Sequence, residues 1–315
     1  MQRRPLGRSG LSASPFAFGG NVFGWTVDEP RSFELLDAFV AAGFNLIDTA
    51  DVYSRWVPGH LGGESETILG HWLRQSGRRK DVLIATKVGF EMGPGRKGLS
   101  RRHILESVDA SLARLGIDRI DLYQSHEDDP ETPIPETLET YRELLDLGKV
   151  RVIGASNFGA RRLAESLEVG RVHGLPTYQS LQPKYNLMDR AEYEGELEEV
   201  CRTRGLGVIT YSSLASGFLT GKYRSKADLG KSPRGARAEA RLTDRGRRIL
   251  DALDEVATET GSKPATVALA WLIARPSVTA TIASATSLDQ LDELIAATRL
   301  RLPNAAMERL DRASA

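Results

Sequence analysis

"FNLIDTADVYS", residues 44–54, opens like a buried strand and ends like something else. Phe44, Leu46 and Ile47 are apolar, and then Asp48, Asp51 and Tyr53 follow within seven residues. An ionised carboxylate beside a packed core is costly unless a partner satisfies it. The stretch therefore demands a partner from elsewhere in the chain, and the fold is read by asking where that partner sits.

Seven other apolar runs share the character of this one. In order, with it included, they are "PFAFGG" (15–20), "FNLIDTA" (44–50), "VLIATKV" (82–88), "IDLYQSH" (120–126), "VRVIGAS" (150–156), "TYQSLQ" (177–182), "GVITYSS" (207–213) and "TATIASA" (279–285). Most are separated by segments of helical period. Phe33, Leu36, Phe39 and Val40 fall on one helical face, as do Ile104, Val108, Leu112 and Leu115 after a Ser100 N-cap. Alternating strands and helices argue a parallel sheet. Eight such units predict an α/β fold, a closed (β/α)8 TIM barrel, with an open doubly wound sheet as the alternative.

Two segments break the rhythm. "RRPLGRSGLSASP" near the start reads as a β-hairpin turning at Gly-Arg-Ser-Gly, placed to plug the barrel bottom. Residues 217–243, rich in Gly, Lys and Arg, form a long insertion after strand seven, since the barrel still needs strand eight beyond them. No internal boundary appears, so residues 1–315 are expected to form a single domain.

The strand ends now answer the opening question. Asp48 ends strand two, Lys87 strand three and His126 strand four. Ser156 and Asn157 follow strand five, Gln179 lies in the strand-six run, and Tyr211 and Ser212 end strand seven. The C-terminal ends of barrel strands meet at one mouth, where such enzymes place their chemistry, so Lys87 on the neighbouring strand is the expected partner of Asp48. Taken singly, each residue has a plainer explanation: a cap for Asp48, a solvated end for Lys87, a loop histidine for His126, packing for Tyr53. Cys201, Trp72 and Trp271 read as helix packing. The ordering of Asp, Tyr, Lys and His around one mouth is what carries chemistry.

Bulk properties exclude other classes. With 42 Lys+Arg against 42 Asp+Glu, the formal charge of +0 offers no global attraction to nucleic acid or to an anionic membrane. No apolar run approaches the roughly 18 residues of a membrane span, and the N-terminus lacks the apolar core of a signal peptide. One cysteine permits no intrachain disulfide and fits a reducing cytoplasmic setting. There is no G-x-G-x-x-G after a strand, no Walker A run and no zinc spacing among five histidines, so no metal is expected.

"GFNLIDTADVYS" with "GGESETILGHWL", then "LYQSHEDD", "VRVIGASNF", "YQSLQPKYNLMDR" and "YSSLASGFLTGKY", resemble in order the blocks of the aldo-keto reductase superfamily. Within it the chain is most similar to bacterial members related to potassium-channel β-subunits. The resemblance implies a catalytic tetrad of Asp48, Tyr53, Lys87 and His126, and a nicotinamide cofactor, NADP(H) with NAD(H) as a second choice, held without a Rossmann fold. It implies that Ser156, Asn157 and Gln179 hold the carboxamide, that Tyr211 stacks on the nicotinamide, that Ser212, Leu214 and Ser216 line the pyrophosphate path, and that Ser284, Thr286, Gln290 and Glu293 meet the adenosine end.

The chemistry so implied is reduction of a small aldehyde or ketone, with Tyr53 as general acid. A free tyrosine holds its proton firmly, with a pKa of about 10, so a Lys87 cation is expected to lower it while Asp48 positions the lysine. Two loops, 54–63 with Trp56 and 89–100 with Phe90 and Met92, are expected to join Phe23 and Trp25 as an apolar lid over the substrate. Two other readings compete: a cofactor-binding regulatory subunit with slow turnover, and a Schiff-base lyase using Lys87 as nucleophile. The sequence does not specify the oligomeric state.

Overall fold

A computed structural model describes residues 2–315. The hairpin comes first, β1 (Arg4–Pro5) pairing antiparallel with β2 (Ser12–Ala13). Eight parallel strands follow: β3 (Phe16–Gly19), β4 (Leu46–Asp48), β5 (Leu83–Val88), β6 (Ile120–Ser125), β7 (Val150–Ser156), β8 (Ser180–Gln182), β9 (Gly207–Thr210) and β10 (Ala280–Ala283). Each pairs with the next, and β10 closes on β3. The expected barrel is the observed fold, every strand lying inside its apolar run.

Helices alternate with the strands. They are α1 (Glu29–Ala41), α2 (Glu64–Ser76), α3 (Arg101–Leu115), α4 (Ile134–Asp146), α5 (Ala160–His173), α6 (Glu196–Arg204), α7 (Asp244–Glu259), α8 (Pro264–Ile273), α9 (Leu288–Ala297) and α10 (Asn304–Ser314). Local chemistry sets their ends. The Ser100 side chain accepts from the His103 amide to start α3, and Gly116 stops it in the left-handed conformation. The 217–243 insertion is built of short 3-10 turns, including Lys226–Lys231 and Gly235–Arg241.

The period of two along each strand divides the barrel into two cores. Phe18, Ile47, Ile84, Tyr123, Ile153, Leu181 and Val208 face the helices and join the larger cluster. Ala17, Leu46, Ala85, Leu122, Val152, Ile209 and Ala280 face the barrel axis. There they meet Leu6, Leu11 and Ala13 of the hairpin, which plugs the bottom as expected. The plug fits closely. Gly7 has φ +57°, and a Cβ there would lie 2.3 Å from the Gln179 carbonyl oxygen, so the turn requires glycine on both counts.

The same parity carries the site. Counting in twos toward the mouth, the axis-facing positions run from Leu46 to Asp48, Ala85 to Lys87, Leu122 to Gln124, and Ser180 to Gln182. Register sets their relative heights: Asp48 is beside Ala85, Lys87 beside Gln124, and Ser156 beside Gln182. Gly154 keeps this layer roomy, because a Cβ there would come within 2.4 Å of Ser180 Oγ and 3.2 Å of Gln124 Cγ.

Candidate active site

Lys87 is fully buried and donates in three directions: to Asp48 Oδ2 at 2.7 Å, to the Thr49 carbonyl at 2.8 Å and to the Tyr53 hydroxyl at 2.9 Å. Three donors meeting three acceptors is the full complement of an ammonium group. Asp48, 2% exposed, is therefore the paired carboxylate that its sequence context demands. Its Oδ2 also accepts from the Tyr53 hydroxyl at 3.2 Å. Burial pulls Lys87 down from its ordinary value, and Asp48 opposes that pull.

Tyr53 departs from expectation in its titration. Burial first, and the Asp48 carboxylate second, hold its phenol well above the ordinary range. The proton is thus tightly kept in the resting site, and Tyr53 is a donor waiting for a stronger base than water. His126 lies beside it, ring centroids 6.1 Å apart. Burial and the Lys87 charge hold His126 well below its ordinary value, so the imidazole is neutral at physiological pH. Its Nδ1 is enclosed without a partner, which leaves Nε2 as the nitrogen facing the pocket. The four residues named from the sequence are brought together.

The remaining named residues divide. Ser156 Oγ donates to the Gln182 carbonyl, and Asn157 Nδ2 donates to the His126 carbonyl. The Tyr211 hydroxyl donates to Asn157 Oδ1 at 2.7 Å, which fixes the half-buried ring at the mouth. Gln179 does not belong here. It precedes β8 at the bottom of the barrel, where its carbonyl accepts from the Gly207 amide and its side chain turns back to Thr177. The residue at the mouth is Gln182, whose Nε2 donates to Asp48 Oδ1 at 2.8 Å. Both glutamines stand in "TYQSLQ", and only strand parity separates them.

Ser284 Oγ lies 2.7 Å from both the Gly19 carbonyl oxygen and Asn21 Oδ1, with one hydroxyl proton to share between them; Asn21 was not expected. Ser287 caps α9, and Gln290 Oε1 accepts from the Thr286 amide and hydroxyl, so a capped helix N-terminus sits at this end of the mouth. Glu293 is engaged by Lys263. Among the substrate candidates, Trp25, Trp56 and Phe90 gather around the pocket. Trp25 and Trp56 meet edge to face at 5.5 Å, Trp56 lies 6.1 Å from Tyr53, and Phe90 packs 3.9 Å from His126. Phe23 corrects the expectation: it is fully buried and stacks on Phe18 in the core at 5.4 Å. The Gly24 turn beyond it carries Trp25 outward instead.

The cofactor implied by the resemblance can be tested against the backbone. Among the described residues, the five non-glycine residues with positive φ, Ser54, Asn157, Ser212, Ala215 and Ser216, lie in loops at the strand C-termini. Three of them fall in the loop after β9, with Gly217 at φ +91° next. Such strain costs about 1–3 kcal/mol per residue and concentrates at ligand clamps. A strained loop between a tyrosine platform and a helix N-terminus fits an extended anionic dinucleotide.

Residues 15–315 match the aldo/keto reductase family. A probable voltage-gated potassium channel subunit beta of Oryza sativa subsp. japonica is 37% identical over 302 residues, 93% of this chain and 90% of that protein. An uncharacterized oxidoreductase, YrpG, of Bacillus subtilis is 36% identical over 323 residues, covering 99% and 95%. The versiconal hemiacetal acetate reductase of Aspergillus parasiticus is 32% identical over 331 residues, covering 96% and 94%. With the barrel and its mouth already described, these matches establish that the chain belongs to the aldo/keto reductase family and is an NAD(P)H-dependent oxidoreductase.

Proposed function

We propose that the protein reduces aldehyde or ketone carbonyls to alcohols with NADPH, Tyr53 acting as the general acid. The observation that carries this reading is the three-way contact of buried Lys87 with Asp48, Thr49 and Tyr53. The nicotinamide, when bound, supplies a hydride. Tyr211, Ser156, Asn157 and Gln182 are the residues placed to hold it, and Ser212, Leu214 and Ser216 to follow the pyrophosphate. Ser284, Thr286, Gln290 and Glu293 would meet the adenosine end.

The chain's own groups do the rest. Nε2 of neutral His126 faces the pocket and orients the carbonyl oxygen. As the C=O π pair moves onto that oxygen, Tyr53 releases its hydroxyl proton to it, and the alcohol forms. The phenolate left behind lies 2.9 Å from Lys87 Nζ, whose charge stabilises it while Asp48 balances the lysine. The tightly held proton of resting Tyr53 suits this step, because an alkoxide is a far stronger base than water. A nucleophilic role for Lys87 has less support, since each of its three N–H bonds is already directed at an acceptor.

NADPH incubated with a panel of aldehydes and ketones, followed at the cofactor's absorbance, tests the reading. Turnover of any carbonyl supports it; tight NADPH binding with no turnover across the panel overturns it. A second reading, a cofactor-binding regulatory subunit with slow turnover, draws on the relatives named as potassium-channel β-subunits and is favoured by that second outcome.

A further inference from the structure

Asp51 lies in the turn that joins Asp48 to Tyr53, yet the catalytic step does not use it. The whole turn grips Lys87. The lysine side chain reaches Asp48, the Thr49 carbonyl and the Tyr53 hydroxyl, and the lysine carbonyl accepts from the Asp51 amide at 3.4 Å. The loop beyond leaves little slack, since a Cβ on Gly62 would come within 2.9 Å of the Asp51 carbonyl oxygen. A shift at Asp51 is therefore passed to Tyr53 and to the carboxylate that balances its lysine.

The Asp51 side chain is 1% exposed, and neither carboxylate oxygen has a hydrogen-bond partner. The charged or titratable groups that face it are Glu66 of α2, Arg114 of α3, Lys87 of β5 and Tyr123 of β6. Both cations among them are already committed. Fully buried Glu66 accepts from Thr86 Oγ1 at 2.5 Å and from Arg114 Nε at 2.7 Å, so that pair closes on itself. Lys87 is balanced by Asp48. The Tyr123 hydroxyl is also enclosed without a partner. A second negative charge beside Glu66 thus finds neither a donor nor an uncommitted cation, and a buried carboxylate so placed takes up a proton instead. Burial first, and Glu66 second, act in that direction.

Resting on the carbonyl-reductase reading, we infer that Asp51 is a positioning residue that works in its protonated form, and that its ionisation switches reduction off. The neutral carboxyl fits the enclosed space and keeps the turn closed on Lys87. Once ionised, it must either open the turn toward water or remain as an unpaired charge. Opening the turn moves Tyr53 away from the carbonyl oxygen. Remaining in place adds negative charge close to where the Tyr53 phenolate forms. Both slow proton transfer to the alkoxide. Asp51 acts through Lys87 and Tyr53 rather than on the substrate, and the reaction is unchanged.

The test is the pH profile of kcat between about pH 6 and about pH 9, with saturating NADPH and benzaldehyde or whichever carbonyl of the panel turns over fastest. Wild type should lose activity on the alkaline side, approaching roughly tenfold per pH unit once Asp51 is ionised, and regain it on return to neutral pH. The profile of Asp51→Asn should be level, whatever its rate. Glu66→Gln leaves the Arg114 charge unpaired beside Asp51 and should move the alkaline fall about 1–3 pH units lower. The double variant should again be level. A merely structural Asp51 would change the rate or the melting temperature and not the shape of the profile. A level wild-type profile, or a fall that persists in Asp51→Asn, overturns the inference and leaves the reductase reading intact. NADPH binding, followed by tryptophan fluorescence at each pH, shows that each variant is folded. Difference infrared spectra of wild type against Asp51→Asn give a readout independent of turnover. The band of a protonated carboxyl should be present at neutral pH and vanish with the midpoint of kcat. If Asp51→Asn does not fold, the same band in wild type and in Glu66→Gln carries the comparison, its midpoint shifting with that of kcat. No such band at neutral pH overturns the inference with or without turnover. The band with no carbonyl reduced at any pH sinks the reductase reading, and this inference with it.

Discussion

Gln182 Nε2 donates to Asp48 Oδ1 at 2.8 Å, spanning the barrel from β8 to β4 on its opposite side. The interior of an eight-stranded barrel is just wide enough for such side chains to meet. Asp48 is thereby held from two directions, by Lys87 and Tyr53 on Oδ2 and by Gln182 on Oδ1. Gln182→Leu should cost about 1–3 kcal/mol of stability by orphaning a buried carboxylate oxygen, and should also lower kcat through a displaced Asp48. Gln179→Leu, at the other end of the strand, should leave kcat as it was. Thermal melts and steady-state kinetics on the two variants check this, and equal kinetics for both would remove Gln182 from the site.

Tyr53→Phe should bind NADPH as tightly as wild type and lose roughly 10²–10⁴-fold in reduction rate, the usual contribution of a positioned acid. The hydroxyl is what Lys87 and Asp48 both contact, and the ring position is preserved by phenylalanine. Wild-type kcat in this variant would falsify the acid role.

Lys87→Met should destabilise the protein by roughly 3–5 kcal/mol, because Asp48 is then left as an uncompensated buried charge. It should also abolish most turnover, since the phenolate left by Tyr53 loses the cation beside it. Chemical denaturation curves and single-turnover rates report the two effects separately. A variant that melts like wild type would mean that the pair contributes nothing net.

Asp51 gives a pH dependence. Both of its carboxylate oxygens are enclosed without partners, and burial first, then Glu66, push it up to about 8. An aspartate in the unfolded chain ionises near about 3.9. Between these values the folded protein keeps a proton that the unfolded chain has lost. The contribution is thus fully present below the unfolded value and is lost as pH rises through the folded one, with a slope of at most about 1.4 kcal/mol per pH unit. Asp51→Asn removes that loss, so its melting temperature should gain on wild type from pH 5 to about pH 8 and then level off. Parallel curves would show that Asp51 is ionised in the folded state throughout.

Cofactor preference should be modest. Ser284 and Thr286 present hydroxyls rather than charges at the proposed adenosine end, and Ser284 Oγ is already engaged by Gly19 and Asn21. Arg224 is tied to Asp254, and Arg234 lies over Trp25 with one guanidinium nitrogen unpaired. The ratio of kcat/KM for NADPH over NADH should stay below about 10³, and Thr286→Arg should raise it by roughly 10- to 150-fold through one charged hydrogen bond. A wild-type ratio above that bound, insensitive to the Arg224→Ala and Arg234→Ala changes, contradicts a weakly charged clamp.

The sequence alone determined the barrel, its hairpin plug, the insertion and the four residues Asp48, Tyr53, Lys87 and His126. It could do so because these depend on short-range signals. Apolar runs, helical periods and caps such as Ser100 and Ser287 are written in neighbouring residues, and a strand end that carries a charge stands out against the run before it. Tertiary structure alone decided what depends on parity and on distance across the barrel. Gln179 and Gln182 are three residues apart in one polar-apolar run, and only the register of β8 shows that the second faces the axis at the height of Asp48. Phe23 and Trp25 are two residues apart in one loop, yet only packing against Phe18 makes one of them core and the other a wall of the pocket. The tight hold on the Tyr53 proton and the neutrality of His126 were equally out of reach, because a pKa is set by the burial and charges surrounding a group in space. Arg234 shows the same limit: about 180 residues of chain separate it from Tyr53, and only the folded insertion places its charge beside the rings of the mouth.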